Sequence, residues 1–461
     1  MSSKDIYDRS VEGVCSLIWD LEREFDLFSK EEDGVYFWRL VRFHLYYSMV
    51  QEIGIFGAPH PSHKFSLKKI ISQFKGALVH SVLNHPCLNR RAYKYAVMPH
   101  TRQVNDRDIY SDELLQNLDK NQTLLIYKSL QGSLYPEGYS VLLDRLLRRY
   151  KDQVLGRRYA LSENNAALVA TIEMRIKAAY PLKLNLRNFT EGQIASFQQN
   201  VEMYRALFMR KKVQHLFVVI GYTCQGAVHA AHQCGIKVTE LQHGTITKYH
   251  LGYSFPVSGD VVPYFPDRML CFGKFWIDYT PLPQHMISEI IGAPYIKELL
   301  ASGSVPEKKP KTIVFASQGV IGKLLFPFAS ACAVLLPDYT FIYRLHPSES
   351  LDDYKNMSIP QNFAFSTNSP DIFSLLRETE FHAGVFSTTL IEGMVLGCRT
   401  IVIDMAGYEY MMPVIEAGDA LFVHTPEEFA EKIIDAPLCN DTGYYYGEKD
   451  LDFSWSSYLS S

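Results

Sequence analysis

The sequence predicts an α/β protein with two domains, each built on a parallel β-sheet covered by helices. A chain of 461 residues is too long for one ordinary core. From Tyr93 onward, short apolar runs alternate with segments of helical periodicity, which is the pattern of parallel strands buried on both faces. Five prolines fall within Pro281–Lys311, and this stretch marks the boundary between two such series.

The chain divides into five expected segments. These are a helical N-terminal extension at 1–90, a first Rossmann-like domain at 91–295, a linker at 296–310, a second Rossmann-like domain at 311–435 and a tail at 436–461. Within the extension, residues 64–80 form a basic amphipathic stretch with four lysines and no acid. Such a helix can lie on an anionic membrane surface, and it can equally pack its apolar face on the protein.

Strands and helices are predicted from the spacing of apolar residues. In the first domain the predicted strands are Lys94–Met98, Thr123–Tyr127, His215–Ile220, Ile236–Leu241 and Arg268–Phe272, and the predicted helices include Asn164–Ala179, Glu191–Lys211 and Gln225–Cys234. In the second domain the predicted strands are Thr312–Ala316, Thr340–Tyr343, Ala383–Phe386, Thr400–Asp404 and Leu421–Val423, followed by a helix at Pro426–Ile434.

Composition narrows the class of protein. Hydrophobic residues make up 47% of the chain and charged residues 21%, as in a globular protein. The net charge of −4 leaves no basic excess to neutralise nucleic-acid phosphates, so we expect no nucleic-acid partner. The eight cysteines form no CxxC pair, which favours reduced thiols in a cytoplasmic protein. Neither a signal peptide nor an apolar run long enough to span a membrane is expected.

A strand–turn–helix–strand unit at Phe381–Asp404 carries the first candidate site. Its turn places the hydroxyls of Ser387, Thr388 and Thr389 at a helix N-terminus, where the partial positive charge favours an anion. Glu392 lies one turn into the helix and can accept hydrogen bonds from a ribose diol beside such a phosphate. The alternative interpretation is that these hydroxyls only cap the helix.

The second candidate follows the predicted strand that ends at Leu241. The polar residues there are Gln242, His243, Thr245 and Lys248, with Gly244 allowing a tight turn. The imidazole of His243 can act as a general base toward an acceptor hydroxyl, because the ordinary pKa of histidine lies near neutral pH. Glu240 points to the opposite face of the strand from His243 and can be a second acid–base group or fix the imidazole tautomer. A purely structural histidine is the alternative.

Two further strand ends carry polar residues. Arg344 and His346 lie two positions apart, so we expect their cationic groups on one side of the chain, as a phosphate clamp or a leaving-group stabiliser. Ser317, Gln318 and Gly319 form a short polar turn before a helix and are a second candidate for phosphate binding.

Motifs for metals and common cofactors are missing from the sequence. There is no GxGxxG after a first strand, no GxxxxGK[ST], no HExxH, no zinc-type Cys/His grouping and no DxD pair in the α/β portions. Any bound phosphate is therefore expected to be neutralised by Arg, His, Lys and helix ends. We expect no cofactor and no obligatory metal ion.

These motifs resemble the GT-B superfamily of bacterial surface-polysaccharide transferases, in the branch with capsule and lipopolysaccharide glycosyltransferases, polysialyltransferases and CDP-glycerol glycerophosphotransferases. QHGTITK at Gln242–Lys248 is similar to the HGT…K box of the glycerophosphotransferases, whose histidine is the proposed base. RLHP at Arg344–Pro347 resembles the HP motif, whose histidine contacts the donor phosphate. STTLIEGMVLG at Ser387–Gly397 resembles the Ser/Thr-rich motif with its ribose-binding glutamate.

The resemblance implies a GT-B fold and a cytoplasmic glycosyltransferase. Its C-terminal domain would bind a nucleotide sugar, and its N-terminal domain would bind a glycan or lipid-linked glycan acceptor in capsule or O-antigen assembly. Taking the motifs and the resemblance together, we expect His243, Glu240 and His346 to be catalytic and Gln242, Thr245 and Lys248 to lie on the acceptor side. We expect the donor to be bound by Arg344, Ser387, Thr388, Thr389, Glu392, Ser317, Gln318 and Gly319. Residues 64–80 would supply a peripheral contact with the inner membrane.

Two alternatives stay open. The first is a polyol-phosphate transferase that uses a CDP-glycerol type of donor in the same fold. It is disfavoured because Val385–Thr389 replaces the Asp-Tyr-Ser-Ser pattern of the glycerophosphotransferases and Gln242 replaces their tryptophan. The second is a sugar-nucleotide epimerase or a non-catalytic glycan-binding protein.

Overall fold

The computed structural model shows two parallel β-sheets, each flanked by helices, and a helical N-terminal extension. The residues described are 7–57, 76, 78–100, 103–104, 107–128, 137–156, 159–257, 262–301, 307–367, 369–448 and 451–460. Their α-helices are α1 (Val11–Glu24), α2 (Phe37–Ile53), α3 (Asp112–Asn117), α4 (Leu142–Val154), α5 (Glu163–Ala179), α6 (Leu186–Lys211), α7 (Gln225–Gln233), α8 (Lys274–Asp278), α9 (Pro294–Ala301), α10 (Gly322–Leu335), α11 (Ile372–Glu378), α12 (Thr388–Val395), α13 (Met412–Glu416), α14 (Pro426–Lys432), α15 (Thr442–Tyr446) and α16 (Trp455–Ser460). Residues 76 and 78–83 are helical as well.

In the described chain, strands β1 to β9 precede α9 and strands β10 to β15 follow it. They are β1 (Tyr95–Met98), β2 (Gln103–Val104), β3 (Arg107–Asp108), β4 (Thr123–Tyr127), β5 (Tyr139–Ser140), β6 (His215–Val219), β7 (Lys237–Leu241), β8 (Arg268–Cys271), β9 (Ile287–Ile290), β10 (Lys309–Ala316), β11 (Thr340–Arg344), β12 (Phe363–Ser366), β13 (Thr379–Gly384), β14 (Arg399–Ile403) and β15 (Leu421–Val423). β2 and β3 form a small antiparallel pair.

Both large sheets are parallel and doubly wound. The first has the order β5–β4–β1–β6–β7–β8–β9, and the second has the order β12–β11–β10–β13–β14–β15. The winding direction reverses between β1 and β6 in the first sheet and between β10 and β13 in the second. Two Rossmann-like domains are therefore present, and the expected α/β fold class with a helical N-terminal extension is confirmed.

The structure also contains elements that the apolar pattern does not predict. β9 and β12 each lie at an edge of a sheet, and their partly exposed residues do not produce a continuous apolar run. β13 ends at Gly384, two residues before the predicted strand end, because Val385 and Phe386 already belong to the turn before α12. α9 reaches Ala301, inside the interval expected as a linker, and β10 begins at Lys309.

The N-terminal extension packs on the first domain through a shared apolar core formed by α1, α2, α5 and α6. Within the extension, a buried ion pair joins α1 and α2, because Nε of Arg42 lies 2.7 Å from Oε1 of Glu22. Nη1 of Arg42 also donates to the carbonyl of Ser254 at 2.8 Å. This carbonyl belongs to the loop that follows β7, so the extension supports the chain directly behind the Gln242–Thr245 turn.

The C-terminal tail crosses back to the first domain. Nε1 of Trp276 donates to the carbonyl of Tyr445 at 2.7 Å, and the hydroxyls of Tyr458 and Thr239 lie 2.8 Å apart. The tail and the extension thus both join the two domains, in addition to the chain segment between β9 and β10.

The basic stretch expected at residues 64–80 lies largely outside the described residues, which include only 76 and 78–80 of it. Within the described part of the chain, every helix is too short or too polar to cross a membrane.

Candidate functional site

The candidate site is a cavity of about 730 Å³ between the two domains. Loops that follow β1, β7, β10, β11 and β13 contribute to it, so it lies at the carboxyl ends of both sheets and at the switch point of each, where open parallel sheets bind ligands. The lining residues are Phe43, Tyr46, Tyr47, Gln51, Phe56, Gly57, His100, Tyr110, His243, Gly244, Thr245, His250, Gln318, Gly319, Val320, His346, Ser348, Phe386, Ser387, Thr388 and Tyr410.

Two of the sequence motifs touch each other directly across this cavity. The hydroxyl oxygens of Thr245 and Thr388 lie 3.0 Å apart, and the backbone N–H of Thr245 donates to Oγ1 of Thr388 at 3.3 Å. A Cβ at Gly244 would lie 3.5 Å from the same oxygen, so the turn after β7 and the start of α12 are in van der Waals contact. The two domains meet at the residues expected to bind acceptor and donor.

His243 belongs to a hydrogen-bonded chain that runs into the core of the first domain. The hydroxyl of Tyr253 lies 3.3 Å from Nδ1 of His243, and it also donates to Oε1 of Glu240. Oε1 of Glu240 accepts a second hydrogen bond, from the backbone N–H of Gly221 at 2.7 Å. Tyr253 therefore connects Glu240 in β7 with His243 in the turn that follows this strand.

Glu240 is fully buried, and burial raises the pKa of its carboxyl to about 7. The hydrogen bonds from Gly221 and Tyr253 and the positive charges of Arg39 and Lys128 act in the opposite direction but do not cancel the desolvation. Among the described residues, Oε2 of Glu240 has no hydrogen-bond partner. A carboxyl that changes its charge near neutral pH is thus linked to the imidazole of His243.

His346 lines the cavity on the side of the second domain, and its hydrogen bonds define the tautomer of its neutral imidazole. The backbone N–H of Ser348 donates to Nδ1 of His346 at 3.2 Å, and the hydroxyl of Ser348 lies 2.7 Å from the same nitrogen. Because Nδ1 accepts a hydrogen bond, the ring proton of the neutral imidazole lies on Nε2. Gly319 allows this arrangement, since a Cβ there would lie 2.1 Å from Oγ of Ser348.

The start of α12 faces the same space. Ser387 is the N-cap residue, and its hydroxyl oxygen accepts hydrogen bonds from the backbone N–H of Thr389 at 3.3 Å and from the Thr389 hydroxyl at 2.8 Å. Ser387 and Thr388 line the cavity, whereas Thr389 is not among its described lining residues. The capping interpretation and the anion-binding interpretation are compatible, because the helix end both is capped and opens into the cavity.

Several residues proposed from the sequence do not line this cavity. Gln242 is buried, and its side-chain amide joins two backbone segments. Its Nε2 donates to the Gly244 carbonyl, and its Oε1 accepts a hydrogen bond from the Phe272 N–H. Lys248 is exposed, and its Nζ lies over the ring of Tyr249. Ser317 is buried and accepts a hydrogen bond from the hydroxyl of Tyr343.

Arg344 and Glu392 also lie elsewhere. The guanidinium of Arg344 donates to Oγ of Ser366 at 2.9 Å and to the carbonyl of Pro370 at 2.6 Å. β11 ends at Arg344, so the strand alternation that would place it beside His346 does not continue through the following turn. Glu392 is fully buried and accepts a hydrogen bond at 2.8 Å from the hydroxyl of Tyr295, which belongs to the first domain.

The sequence interpretation missed the aromatic wall that the extension supplies. α2 contributes Phe43, Tyr46 and Tyr47, and Phe56 follows it. The ring of Phe43 is stacked on that of His250 with centroids 5.4 Å apart. The available signal was the aromatic-rich segment at the start of the chain, but its position relative to the strands is not encoded in local periodicity.

The described lining residues include four histidines but no Asp, Glu, Lys or Arg. Burial lowers the pKa of His250 to about 4, so this imidazole is neutral at physiological pH. No group of three or more His, Cys, Asp or Glu among the described residues could hold a metal ion. An anion in this space would meet histidine N–H groups and a helix N-terminus, and no described carboxylate on the lining would repel it.

Comparison with known proteins identifies similar structures but no family. No protein-family model and no curated protein sequence matches the chain. A structure of S. aureus MnaA with UDP is 14% identical, covers 77% of this chain and 93% of its own, and gives a TM-score of 0.46. The spinosyn rhamnosyltransferase SpnG is 12% identical. The match covers 74% of this chain and 91% of the SpnG chain, with a TM-score of 0.45. The UDP-GlcNAc 2-epimerase from Methanocaldococcus jannaschii is 11% identical. The match covers 79% of this chain and 98% of the epimerase chain, with a TM-score of 0.45.

Proposed function

We propose that this protein is a glycosyltransferase that moves a sugar from a nucleotide-activated donor to a glycan acceptor. The observation that carries the proposal is that one interdomain cavity brings together His243, His346 and the N-terminus of α12. A candidate base from one domain thereby faces a candidate phosphate site from the other. The assignment to bacterial capsule or O-antigen assembly is supported by the resemblance of the three motifs.

In the proposed reaction, His243 is the general base. When Glu240 is ionised, Tyr253 donates its proton to Glu240, and the Tyr253 oxygen can accept the Nδ1–H of His243. Nε2 of His243 then carries a lone pair that can accept the proton of the acceptor hydroxyl. As the acceptor hydroxyl loses its proton, its oxygen forms the new bond to the anomeric carbon of the donor sugar. The bond from that carbon to the phosphate oxygen breaks at the same time.

The nucleotide leaves with the electron pair of the broken bond, and its phosphate gains negative charge. Nε2–H of His346 can donate to this phosphate, because Nδ1 is already accepting from Ser348. Ser387 and Thr388 add hydroxyl groups and the positive end of α12. Each of these groups binds the leaving group more strongly in the transition state than in the ground state.

The first domain and the extension would bind the acceptor. Phe43, Tyr46, Tyr47 and Tyr110 present rings and hydroxyls on that side of the cavity. Aromatic faces pack well on the apolar faces of sugar rings, while tyrosine hydroxyls can hydrogen-bond to their edges. A wall of this kind suits a carbohydrate better than a charged acceptor.

The test is the thermal stability of the full chain with CMP, CDP, UDP, GDP and dTDP, using the matching nucleosides as controls, with and without EDTA. A ligand at about 100 times its Kd adds roughly 2.7 kcal/mol, which raises Tm by several degrees. We expect one nucleotide to raise Tm, its nucleoside to fail, and EDTA to have no effect. His346→Ala should reduce the shift, whereas His424→Ala, on an exposed histidine of the same domain paired with Asp404, should not.

Absence of a shift with every nucleotide would overturn the proposal in favour of a glycan-binding protein. Product analysis with activated donors that carry the identified nucleotide then separates the remaining reactions. Transfer that forms phosphodiester bonds and releases CMP would indicate a polyol-phosphate transferase. Interconversion of free nucleotide sugars without an acceptor would indicate an epimerase.

A further inference from the structure

The helix α4 (Leu142–Val154) has an inverted distribution of apolar and polar side chains. None of its residues is buried. Leu147, Tyr150 and Val154 follow one another at spacings of three and four residues, so they share one face, and they are 57%, 66% and 64% exposed. Leu146 and Leu155 are exposed beside them. An ordinary surface helix buries such a row on its own domain.

The polar side of α4 faces the protein instead. Asp152 accepts a hydrogen bond at 2.6 Å from Nε2 of Gln199, and Nη1 of Arg148 lies 3.1 Å from a carboxylate oxygen of Glu202. Both partners lie on α6. A cavity of about 280 Å³ lies between the two helices, and α4 lines it with Arg145, Arg148 and Arg149 together with Leu142 and Leu146. The orientation of α4 is thus fixed by polar contacts, with its apolar row turned to solvent.

A second exposed apolar segment adjoins α4. Val79, Val82, Leu83 and Leu88 are all exposed. The chain here is tied to the start of α4, because Nδ2 of Asn84 donates to the Gly138 carbonyl at 2.9 Å and His85 lies 3.5 Å from Asp144. We call α4 together with residues 78–91 the outer face. Single exposed apolar residues are common on proteins, whereas several exposed apolar residues on two adjoining segments indicate an interaction site.

Basic side chains outnumber acidic ones on α4 of the outer face, although the whole chain has a net charge of −4. α4 contains four basic and two acidic side chains, and both acids are already paired or hydrogen-bonded within the protein. Exposed Arg149 and Lys151 flank the apolar row, and exposed Arg90 and Arg91 lie on the second segment. Apolar side chains bordered by arginine and lysine match the boundary between acyl chains and anionic headgroups of a lipid bilayer.

We propose that the outer face docks on an anionic lipid bilayer, with Leu147, Tyr150 and Val154 inserted among the headgroups. The proposal is independent of the proposed transfer reaction, because it concerns a surface and not the interdomain cavity.

The test is cosedimentation of the full chain with vesicles of mixed phosphatidylcholine and phosphatidylglycerol, compared with phosphatidylcholine alone, at low and high salt. We expect binding to the mixed vesicles at low salt and weaker binding at high salt. The variant Leu147→Glu/Tyr150→Glu/Val154→Glu should lose about tenfold or more in apparent affinity. Its matched control is Met174→Glu/Val334→Glu/Ile434→Glu, which adds the same charge at residues that are 65%, 68% and 69% exposed and should bind nearly as the original chain does.

Failure of the unmodified chain to bind mixed vesicles, or equal loss of binding in both triple variants, would overturn the proposal. Sedimentation equilibrium tests the alternative that the outer face is an interface between two copies of the chain. In that case the unmodified chain would be a dimer, the α4 variant would be a monomer, and neither would bind vesicles. The nucleotide-dependent rise in Tm should be the same in all three proteins, which keeps this test separate from that of the proposed function.

Discussion

The hydroxyl oxygen of Tyr253 lies 3.3 Å from Nδ1 of His243, and the same hydroxyl donates to the buried carboxylate of Glu240. One tyrosine proton therefore cannot serve both neighbours at once. If Glu240 is ionised, the Tyr253 oxygen accepts from His243 and leaves Nε2 basic. If Glu240 is protonated, Tyr253 is free to donate to Nδ1, and the ring proton moves to Nε2. The charge of Glu240 thus selects the tautomer of the candidate base.

The first prediction concerns this connection. Tyr253→Phe should lower kcat/KM by roughly tenfold to a hundredfold, because His243 loses the partner that fixes its tautomer. The original chain should lose activity as the pH falls below about 7, where Glu240 becomes protonated. In Tyr253→Phe, the pH at which this loss of activity occurs should shift. Tyr222→Phe is the control, since its ring also packs 6.3 Å from that of His243. Equal pH profiles for Tyr253→Phe and the original chain would contradict the connection.

The second prediction concerns stability. The pKa of Glu240 is raised from 4.5 to about 7 in the folded chain, so its contribution to stability is fully present below pH 4.5 and is lost as the pH rises to 7. The loss is on the order of 3 kcal/mol. In Glu240→Gln this contribution is absent, so the free energy of unfolding should fall less between pH 5 and 7.

Urea unfolding of both proteins at several pH values measures that difference. Asp108 and Glu409 also have raised pKa values through burial, so both proteins retain some pH dependence, and only the difference between them reports Glu240. Identical pH dependence in the two proteins would mean that the Glu240 carboxyl ionises normally.

The third prediction concerns the leaving group. His346→Ala should lower kcat on the order of a hundredfold, since removal of one contact to a developing phosphate charge costs ~3 kcal/mol. His346→Gln keeps an N–H donor near the position of Nε2 and should retain part of the activity. Steady-state kinetics with sugar donors that carry the nucleotide identified by thermal stability measures both variants. A role for His346 in the reaction is falsified if the alanine variant keeps nearly full kcat.

The fourth prediction concerns the support of His346 by Gly319. A Cβ at residue 319 would overlap Oγ of Ser348 at 2.1 Å and approach Nδ1 of His346 at 3.3 Å. Gly319→Ala should therefore displace Ser348, release the His346 ring and reduce kcat with little change in Tm. Adding Ser348→Gly removes the overlapping atom and should restore part of the activity relative to Gly319→Ala. If the double variant is no better than the single one, Gly319 acts through the backbone and not through Ser348.

The positions of most strands follow from the sequence, because a buried parallel strand needs a continuous apolar run. β4 and β15 have the predicted bounds, and most others in the two sheets differ by one to three residues. The polar residues at strand ends were visible for the same reason, since they interrupt apolar runs. His243, His346, Ser387 and Thr388 could be named in this way, and the structure places all four on one cavity.

The tertiary structure decided which of these groups face each other. Glu392 looks like a ligand-binding acid from its helix position, but docking of the two domains buries it against Tyr295. Arg344 looks like a partner of His346, but its guanidinium donates to Ser366, which lies opposite it on the neighbouring strand β12. The aromatic wall of α2 joins the site through contacts between distant segments, and Tyr253 joins it because the loop after β7 folds back onto His243. Local periodicity records only whether a side chain is buried, whereas its partner depends on how separate elements pack together.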